Sequence, residues 1–598
     1  MGNPEIIDSR TPINIEQSFK IEAGPGAGKT EFLVNHINHV IANSQRLGKT
    51  RKIACITYTN NAVDNISSKL GKSQIDKVEI STIHSFLYKN IIKPFEAFIP
   101  KEYELNIEEV DGHDDFNVNT SYVNEWLANK YFDSLKPPYK RTQFWLYKEQ
   151  LENWLSTLKC DINTKEILWD CDNTKSGIYK NGKYQQIKQT TLNIFKQHLI
   201  DFKKIYWRNG KLSHDDVLYF SYILIKQNNS ILEIIRAKFP YIFIDEYQDT
   251  SKIQNYIVTG LMKKEITVGV IGDRAQSIYG FQGASPDQFD KIQTEKTYKI
   301  EDNHRSNSTI VSFLNTIRSD LTQESLAPTQ TGNIYFLSMD KLDAYDKAKE
   351  LCSNTAQPLV TLARNNLTVN YMKLSIEKDN CENPLNILNT DQNSTRANAI
   401  WNAVQSIEYA KKQQFKESLK YAKKLPFTTQ GNKDSVALQA LNELLMLYPS
   451  YSKSNLITFN KILKSNLALN ISNIQTGSTK TNQLYSNLTY QDLVASMNIP
   501  EDKGNHLTIH KAKGLEFDNV LLLGNEDTKH LLLKPNLKNE EERIIYVACS
   551  RAKQNLFIQI NNISDCELQK IKSKYPNWVY MIEKPDDSNE QLSLFDDI

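Results

Sequence analysis

The chain has seven cysteines in 598 residues, and no two of them form a C-x-x-C pair. That scatter argues against a zinc module, an iron–sulfur cluster or a disulfide scaffold, and it suits a reducing compartment. No run approaches the ~18 apolar residues of a membrane span, and the N-terminus lacks the shape of a signal peptide. The expectation is a soluble cytoplasmic protein with no membrane partner. An excess of one charge is also missing: 72 Lys+Arg stand against 70 Asp+Glu, a net +2. Any nucleic-acid site must therefore be a local basic groove. Internal repeats are absent. Length is abundant and suggests about four domains.

One stretch organises the rest, Phe19–Thr30, FKIEAGPGAGKT. An apolar run breaks into small residues and then into Lys29-Thr30. This predicts a strand, a phosphate-cradling loop and the start of a helix. Gly24, Gly26 and Gly28 let backbone amides approach an anion with no side chain in the way. Lys29 then reaches the outer phosphates and Thr30 ligates Mg²⁺. The loop opens with Ala23 where the usual pattern has Gly. Upstream, Gln17 either reads an adenine edge through its amide or is an ordinary polar residue before a strand.

Two further strands end in polar and aromatic residues. IACITYT (53–59) leads into Asn60, and VEISTIHSF (78–86) carries His84 and Phe86. Such strand ends suit a backbone phosphate and a base face, although each alone is an ordinary cap or core feature. Residues 180–211 interleave lysines with aromatics, which fits a strand-binding surface or, more simply, a solvated helical face. In YIFIDEYQDTS (241–251) a buried strand delivers Asp245 and Glu246 to its C-terminal end. Ligands bind at that edge in open α/β sheets. Asp245 is the Mg²⁺ ligand and Glu246 the proton acceptor for the attacking water. In TVGVIGDRAQSIYGFQGA (267–284) Gln276 senses the terminal phosphate, and Tyr279 and Phe281 face one groove. Arg305, in Asn303-His304-Arg305-Ser306, is a candidate for γ-phosphate charge.

The order of these strings resembles the UvrD/Rep-like helicases of superfamily 1. AGPGAGKT looks like motif I, TYTNNA like Ia, STIHSF like Ib, IDEYQDTS like II and IGDRAQSIYGFQGA like III. NHRS is like motif IV, IHKAKGLEFDNV like V and EEERIIYVACSRA like VI. The resemblance implies an α/β fold of two RecA-like P-loop domains with parallel sheets, each carrying a mainly helical insertion. It divides the chain at 1–95 and 210–295 for the first domain, with insertion 96–209. The second domain takes 296–375 and 500–583, with insertion 376–499; a flexible tail covers 584–598. ATP and Mg²⁺ lie in the cleft, at a nucleotide site of Gln17, Ala23, Gly24, Pro25, Gly26, Ala27, Gly28, Lys29, Thr30, Glu31, His304 and Glu516. Arg305 and Arg551 neutralise the transferring phosphoryl. Single-stranded DNA, or a tailed duplex, runs over both domains along Tyr58, Thr59, Asn60, His84, Phe86, Tyr279, Phe281 and His510. Relatives step 3′ to 5′ and unwind duplexes in repair, replication or defence.

Departures from the family gather around the base. Glu31 stands where relatives often have Arg, and His304 replaces the tyrosine that stacks on adenine. The interval from Gln17 to Lys29 is short. The expectation is retained hydrolysis with a weak preference for ATP over GTP. The tail Gln591–Phe595, QLSLF, resembles the bacterial sliding-clamp-binding peptide. Two other functions compete: a nucleotide-dependent DNA sensor or recruiter in a defence complex, and a helicase–nuclease fusion, disfavoured because about 45 residues follow motif VI, few for a nuclease domain.

Overall fold

A computed structural model describes residues 4–129, 132, 148–163, 166–180, 183–263, 265–327, 332–353, 357–378, 382–391, 393–428, 432–467, 469–474, 477, 479–497 and 504–582. The tail Gln591–Phe595 lies outside the described residues.

Two parallel sheets form the frame. The first has seven strands in the order Glu5–Ile6, Lys296–Ile300, Phe19–Ala23, Thr267–Gly272, Tyr241–Ile244, Ile53–Thr57 and Val78–Thr82. The strands of its middle are apolar over nearly their whole length and buried along it, as a sheet covered on both faces requires. Gly269 lies opposite Phe19 in the register. A Cβ there would stand 2.3 Å from the Phe19 ring, so only glycine lets the two strands carry that aromatic. The second sheet has six strands in the order His506–Thr508, Leu359–Ala363, Phe517–Leu523, Ala552–Gln559, Ile334–Ser338 and Val579–Ile582. The mixed α/β architecture with two RecA-like units is the one expected.

Two expectations need correction. Residues 296–300 do not open the second unit. They form a strand between Glu5–Ile6 and Phe19–Ala23, pairing Tyr298 with Ile21, so the first sheet runs on to Ile300. The first insertion is less helical than expected. It holds two antiparallel hairpins, Lys159–Asn163 with Glu166–Asp170 and Gly177–Lys180 with Lys183–Gln186. The motif V string follows a short strand, His506–Thr508, and the chain turns through Lys513 before Phe517–Leu523 begins.

The basic and aromatic stretch of the first insertion is largely core. Trp126, Trp154, Phe195, Phe202 and Trp207 are all buried together, and Lys203 is buried in an ion pair with Asp216 at 2.8 Å. Burial, not strand binding, accounts for those aromatics. The regular elements among the described residues of the second insertion are helices, from Pro384–Leu388 to Tyr490–Ala495, around Ile400, Val404, Ile407 and Leu463. No helix among the described residues is long and apolar enough to cross a membrane.

Candidate functional site

The strand Phe19–Ala23 ends in a loop that turns through Gly26 (φ +71°) and Gly28 (φ +78°), a region where a side chain is strained. Helix Lys29–Asn43 begins there, and no side chain caps it. Its first amides therefore point at whatever anion the loop holds. The Lys29 ammonium donates to the carbonyls of Ala23 at 3.2 Å and Gly24 at 3.1 Å, reaching back across the loop. The loop is pinned from outside. Asn303 and Gln323 side chains donate to the Pro25 carbonyl at 3.0 and 3.1 Å, and the His304 amide donates to the Gly26 carbonyl at 2.9 Å. A side chain at Gly26 would collide with Asn303 and with Arg305. Arg305 therefore lies against the phosphate loop.

Buried strand Tyr241–Ile244 delivers Asp245, whose carboxylate accepts the Glu246 amide at 3.0 Å. Glu246 has φ +54°, a backbone position that costs a non-glycine residue about 1 kcal/mol. Burial, with Glu246 beside it, pushes Asp245 well above the usual carboxylate range. Burial also acts on Glu246, but the Lys29 and Lys513 ammoniums outweigh it and hold that carboxyl below its usual range. Two adjacent carboxyls thus have opposite tendencies: burial wins at Asp245, and the two ammoniums win at Glu246. Gln248 ties the region together: its amide donates to Glu246 and accepts from the Asp273 N–H at 2.9 Å.

The second sheet's side of the cleft brings Arg305, Lys513 and Arg551. Arg305 donates to Glu516 at 2.9 Å and to the Ser550 carbonyl at 3.0 Å. Arg551 is buried and donates to the Gln276 amide oxygen at 2.8 Å. Burial and the neighbouring Arg305 push Arg551 down to about 9, so it is a cation short of counter-charge. Lys513 pairs with buried Asp249 and donates to the Gln276 carbonyl at 3.0 Å. Burial pushes Asp249 up to about 6 despite that ammonium. Glu540 accepts from the Gly280 amide at 2.8 Å, and Arg543 donates to the Ser277 carbonyl at 2.7 Å. The segment 273–280 is thus clasped by helix Glu540–Cys549.

Beside this cleft lies an aromatic face. Tyr58 stacks on Tyr279 with centroids 4.9 Å apart and 22° between planes. Tyr279 meets Phe281, and Phe281 meets His510 at 5.4 Å. Lys513 sits over the Tyr279 ring at 4.5 Å. Phe281 is 58% exposed, unusual for a phenylalanine and suited to stacking on a base. Thr59 caps helix Asn60–Lys69 by accepting from the Ala62 N–H, and Asn60 is exposed at its start.

The structure does not gather every expected residue. Gln17 lies at the opposite edge of the sheet. Its neighbour Ser18 bonds to Val268 and Lys296, where those strands begin, while the phosphate loop leaves the strand's far end. The seven residues from Gln17 to Gly24 span roughly 20 Å of extended chain. The segment near the loop is instead Ser9–Thr11. Asn35 donates to the Ser9 carbonyl at 3.2 Å, Ser9 abuts Gly28, and Arg10 pairs with Glu31 at 3.3 Å. Phe86 is core, packed on Phe239 at 5.3 Å. His84 stacks on His214 at 4.9 Å and lies near His113. Burial pushes it down to about 3, with His214 and His113 adding to the effect. The reading of residues missed Gln248, Asp249 and Lys513, although all three lie within strings that carried the resemblance.

Comparison with known proteins agrees with this geometry. The UvrD/REP helicase N-terminal domain matches residues 7–299, and the UvrD-like helicase C-terminal domain matches residues 352–562. The chain is 25% identical to a probable DNA helicase II homolog of Mycoplasma genitalium, covering 91% of this chain and 83% of that protein. It is 23% identical to the ATP-dependent DNA helicase Rep of Buchnera aphidicola, covering 90% of both. Over 52% of its length it is 27% identical to the Gabija protein GajB of Bacillus cereus, of which it covers 48%. The phosphate loop and the acidic strand end lie in the first of those spans, Arg551 lies in the second and Arg305 lies between them, and the chain belongs to the UvrD/Rep-like superfamily 1 helicases, an ATP-dependent DNA helicase by class.

Proposed function

We propose that this chain is a 3′ to 5′ translocase on single-stranded DNA that couples ATP hydrolysis to duplex unwinding. The observation that carries the reading is Arg551 bonded to Gln276 across the cleft, on the side where Lys29 and Glu246 meet. Lys29 holds the outer phosphates. Glu246, kept ionised by Lys29 and Lys513, takes the proton of the attacking water. Gln276 orients that water, and Arg305 and Arg551 receive the charge that develops on the phosphoryl oxygens. Asp245 and Thr30 would hold Mg²⁺. An oxygen donor set fits that hard cation, and Asp245, pushed up by burial, gains most from a positive neighbour. Bound there, the ion neutralises phosphate charge. Glu516, paired to Arg305 and Lys553, would stand beside the nucleotide sugar.

Both arginines come from the second lobe, so a triphosphate draws the lobes together and its hydrolysis releases them. Tyr58, Tyr279, Phe281 and His510 straddle the same seam. Bases stacked there, each worth roughly 1–3 kcal/mol, are gripped and released in step. The direction of stepping follows from the family alone. A strand-displacement assay with 3′-tailed and 5′-tailed duplexes tests it. Displacement of the 3′-tailed duplex alone is expected; displacement of the 5′-tailed one overturns the polarity. Hydrolysis without displacement of either favours the sensor or recruiter, the alternative that Glu31 and His304 at the base end leave open. The tail, QLSLF, is proposed to bind a bacterial sliding clamp; deleting 591–598 then abolishes clamp pull-down and leaves the ATPase rate unchanged.

A further inference from the structure

We propose that Asp273 and Arg318 are positioning residues for Gln276, and that Arg318 makes the orientation of that amide depend on closure of the lobes. The inference rests on the reading of Gln276 as the group that meets the terminal phosphate and its water. Asp273 stands at the end of strand Thr267–Gly272 and is buried. One carboxylate oxygen accepts the Ala275 N–H at 3.1 Å, and the other accepts the Gln276 side-chain N–H at 2.7 Å. A carboxylate only accepts, so the Gln276 amide must turn its NH₂ toward Asp273. Its oxygen is thereby aimed at Arg551, which donates to it at 2.8 Å.

Asp273 is held from the other lobe. Arg318 follows helix Ser308–Ile317 and is buried with it. Its guanidinium lies 3.1 Å from one Asp273 oxygen and 3.2 Å from the other. It also donates to the Tyr546 hydroxyl at 3.3 Å and to Asp320 at 2.7 and 3.0 Å. Tyr546 lies on helix Glu540–Cys549, which leads to Arg551. The contacts therefore close a ring through Arg318, Asp273, Gln276, Arg551 and Tyr546, crossing between lobes twice. When the lobes part, the ring opens at both crossings. Asp273 then loses its cation, beside a site built for a triphosphate. Closure restores the pairing and fixes the amide in one step, so hydrolysis waits for the docked state.

The test is steady-state ATP hydrolysis by the full chain with single-stranded DNA. In Asp273→Asn the oxygen stays on the Ala275 N–H, and the new NH₂ faces Gln276 donor against donor. Gln276 has to turn over and present its own NH₂ to Arg551. The kcat is expected to fall roughly 10²-fold while the KM for ATP stays within about twofold. Arg318→Lys keeps a charge on Asp273 and is expected to stay within about tenfold of the parent kcat. Asp273→Asn combined with Arg318→Met removes both charges of the buried pair and so avoids an unpaired ion. It is expected to be no slower than Asp273→Asn alone, because both changes act on one amide. A double variant slower than Asp273→Asn alone, or variants that melt early yet keep the parent kcat where folded, overturn the proposal. Lys29→Ala is run alongside: if that variant still hydrolyses ATP, the nucleotide reading fails instead.

Discussion

The phosphate end and the base end of the nucleotide site are built differently. At one end Lys29, Glu246, Gln276, Arg305 and Arg551 are knitted together by buried or half-buried contacts, many of them between lobes. At the other end Arg10 and Glu31 form a pair whose side chains are 82% and 47% exposed, with the His304 ring 43% exposed nearby. Exposed pairs are worth little, of order 0–1 kcal/mol, and buried ones lose much when broken. The contrast teaches that the molecule invests its rigid charge in the bond that breaks and little in the base that identifies the nucleotide.

The largest effects are expected at the knitted end. Lys29→Ala should bring ATP hydrolysis to background and leave DNA binding largely intact, read by fluorescence anisotropy. Loss of DNA binding would mean the loop is misassigned. Arg551→Ala should slow hydrolysis by on the order of 10³–10⁵. A slowing of less than tenfold would erase the difference between the ends.

Next comes the clasp under the aromatic face. Lys513→Ala leaves the buried Asp249 carboxylate without its cation and should cost about 3–5 kcal/mol in chemical denaturation. Adding Asp249→Asn should recover most of that loss. If the double variant is no more stable, the pair is not what holds the seam.

Smaller effects belong to the open end. The kcat/KM values for ATP and GTP should agree within about tenfold, since no rigid hydrogen-bonding set reads the base edge. Arg10→Ala and Glu31→Ala should each shift that ratio by less than a further factor of about ten. A strong ATP preference would show that the exposed side chains organise when nucleotide binds. The smallest effect is on stability. His84 is held neutral by burial, so its folded value lies below its unfolded one. Its contribution is complete above about pH 6.5 and is lost as the pH falls, by about 1.4 kcal/mol for each unit between 6.5 and the folded value. Urea denaturation at pH 7.5 and 5.5 should show a steeper loss in the parent than in His84→Gln.

Much of this was legible in the residues because chemistry repeats at strand ends. The phosphate loop, the acidic strand end, Gln276 and both arginines are each carried by short strings with a physical reason for their composition. What was not legible depends on which edge or face a residue occupies. Gln17 stands close to the loop in sequence, yet a strand run separates them by its whole length. Phe86 and Phe281 are both aromatics beside polar neighbours. Only packing decides that one lies in the core on Phe239 and the other in solvent. The run at 296–300 is as short and mixed as the edge strands of either unit, so composition could not assign it to the first sheet. Arg318 shows no motif at all. Its partner, Asp273, lies in a distant string, and a buried ion pair between separate segments leaves no local pattern.

The position of Lys296–Ile300 has a consequence for biosynthesis. The strand that carries the phosphate loop keeps one bare flank until residue 300 has left the ribosome, roughly 15–60 s after initiation at ordinary elongation rates. The strand that carries the phosphate loop is thus among the first parts translated, yet it is flanked on that side only when half of the chain has been made. A nascent chain halted before that point exposes a row of unsatisfied amides beside an apolar surface, the kind of template that invites another strand or a chaperone.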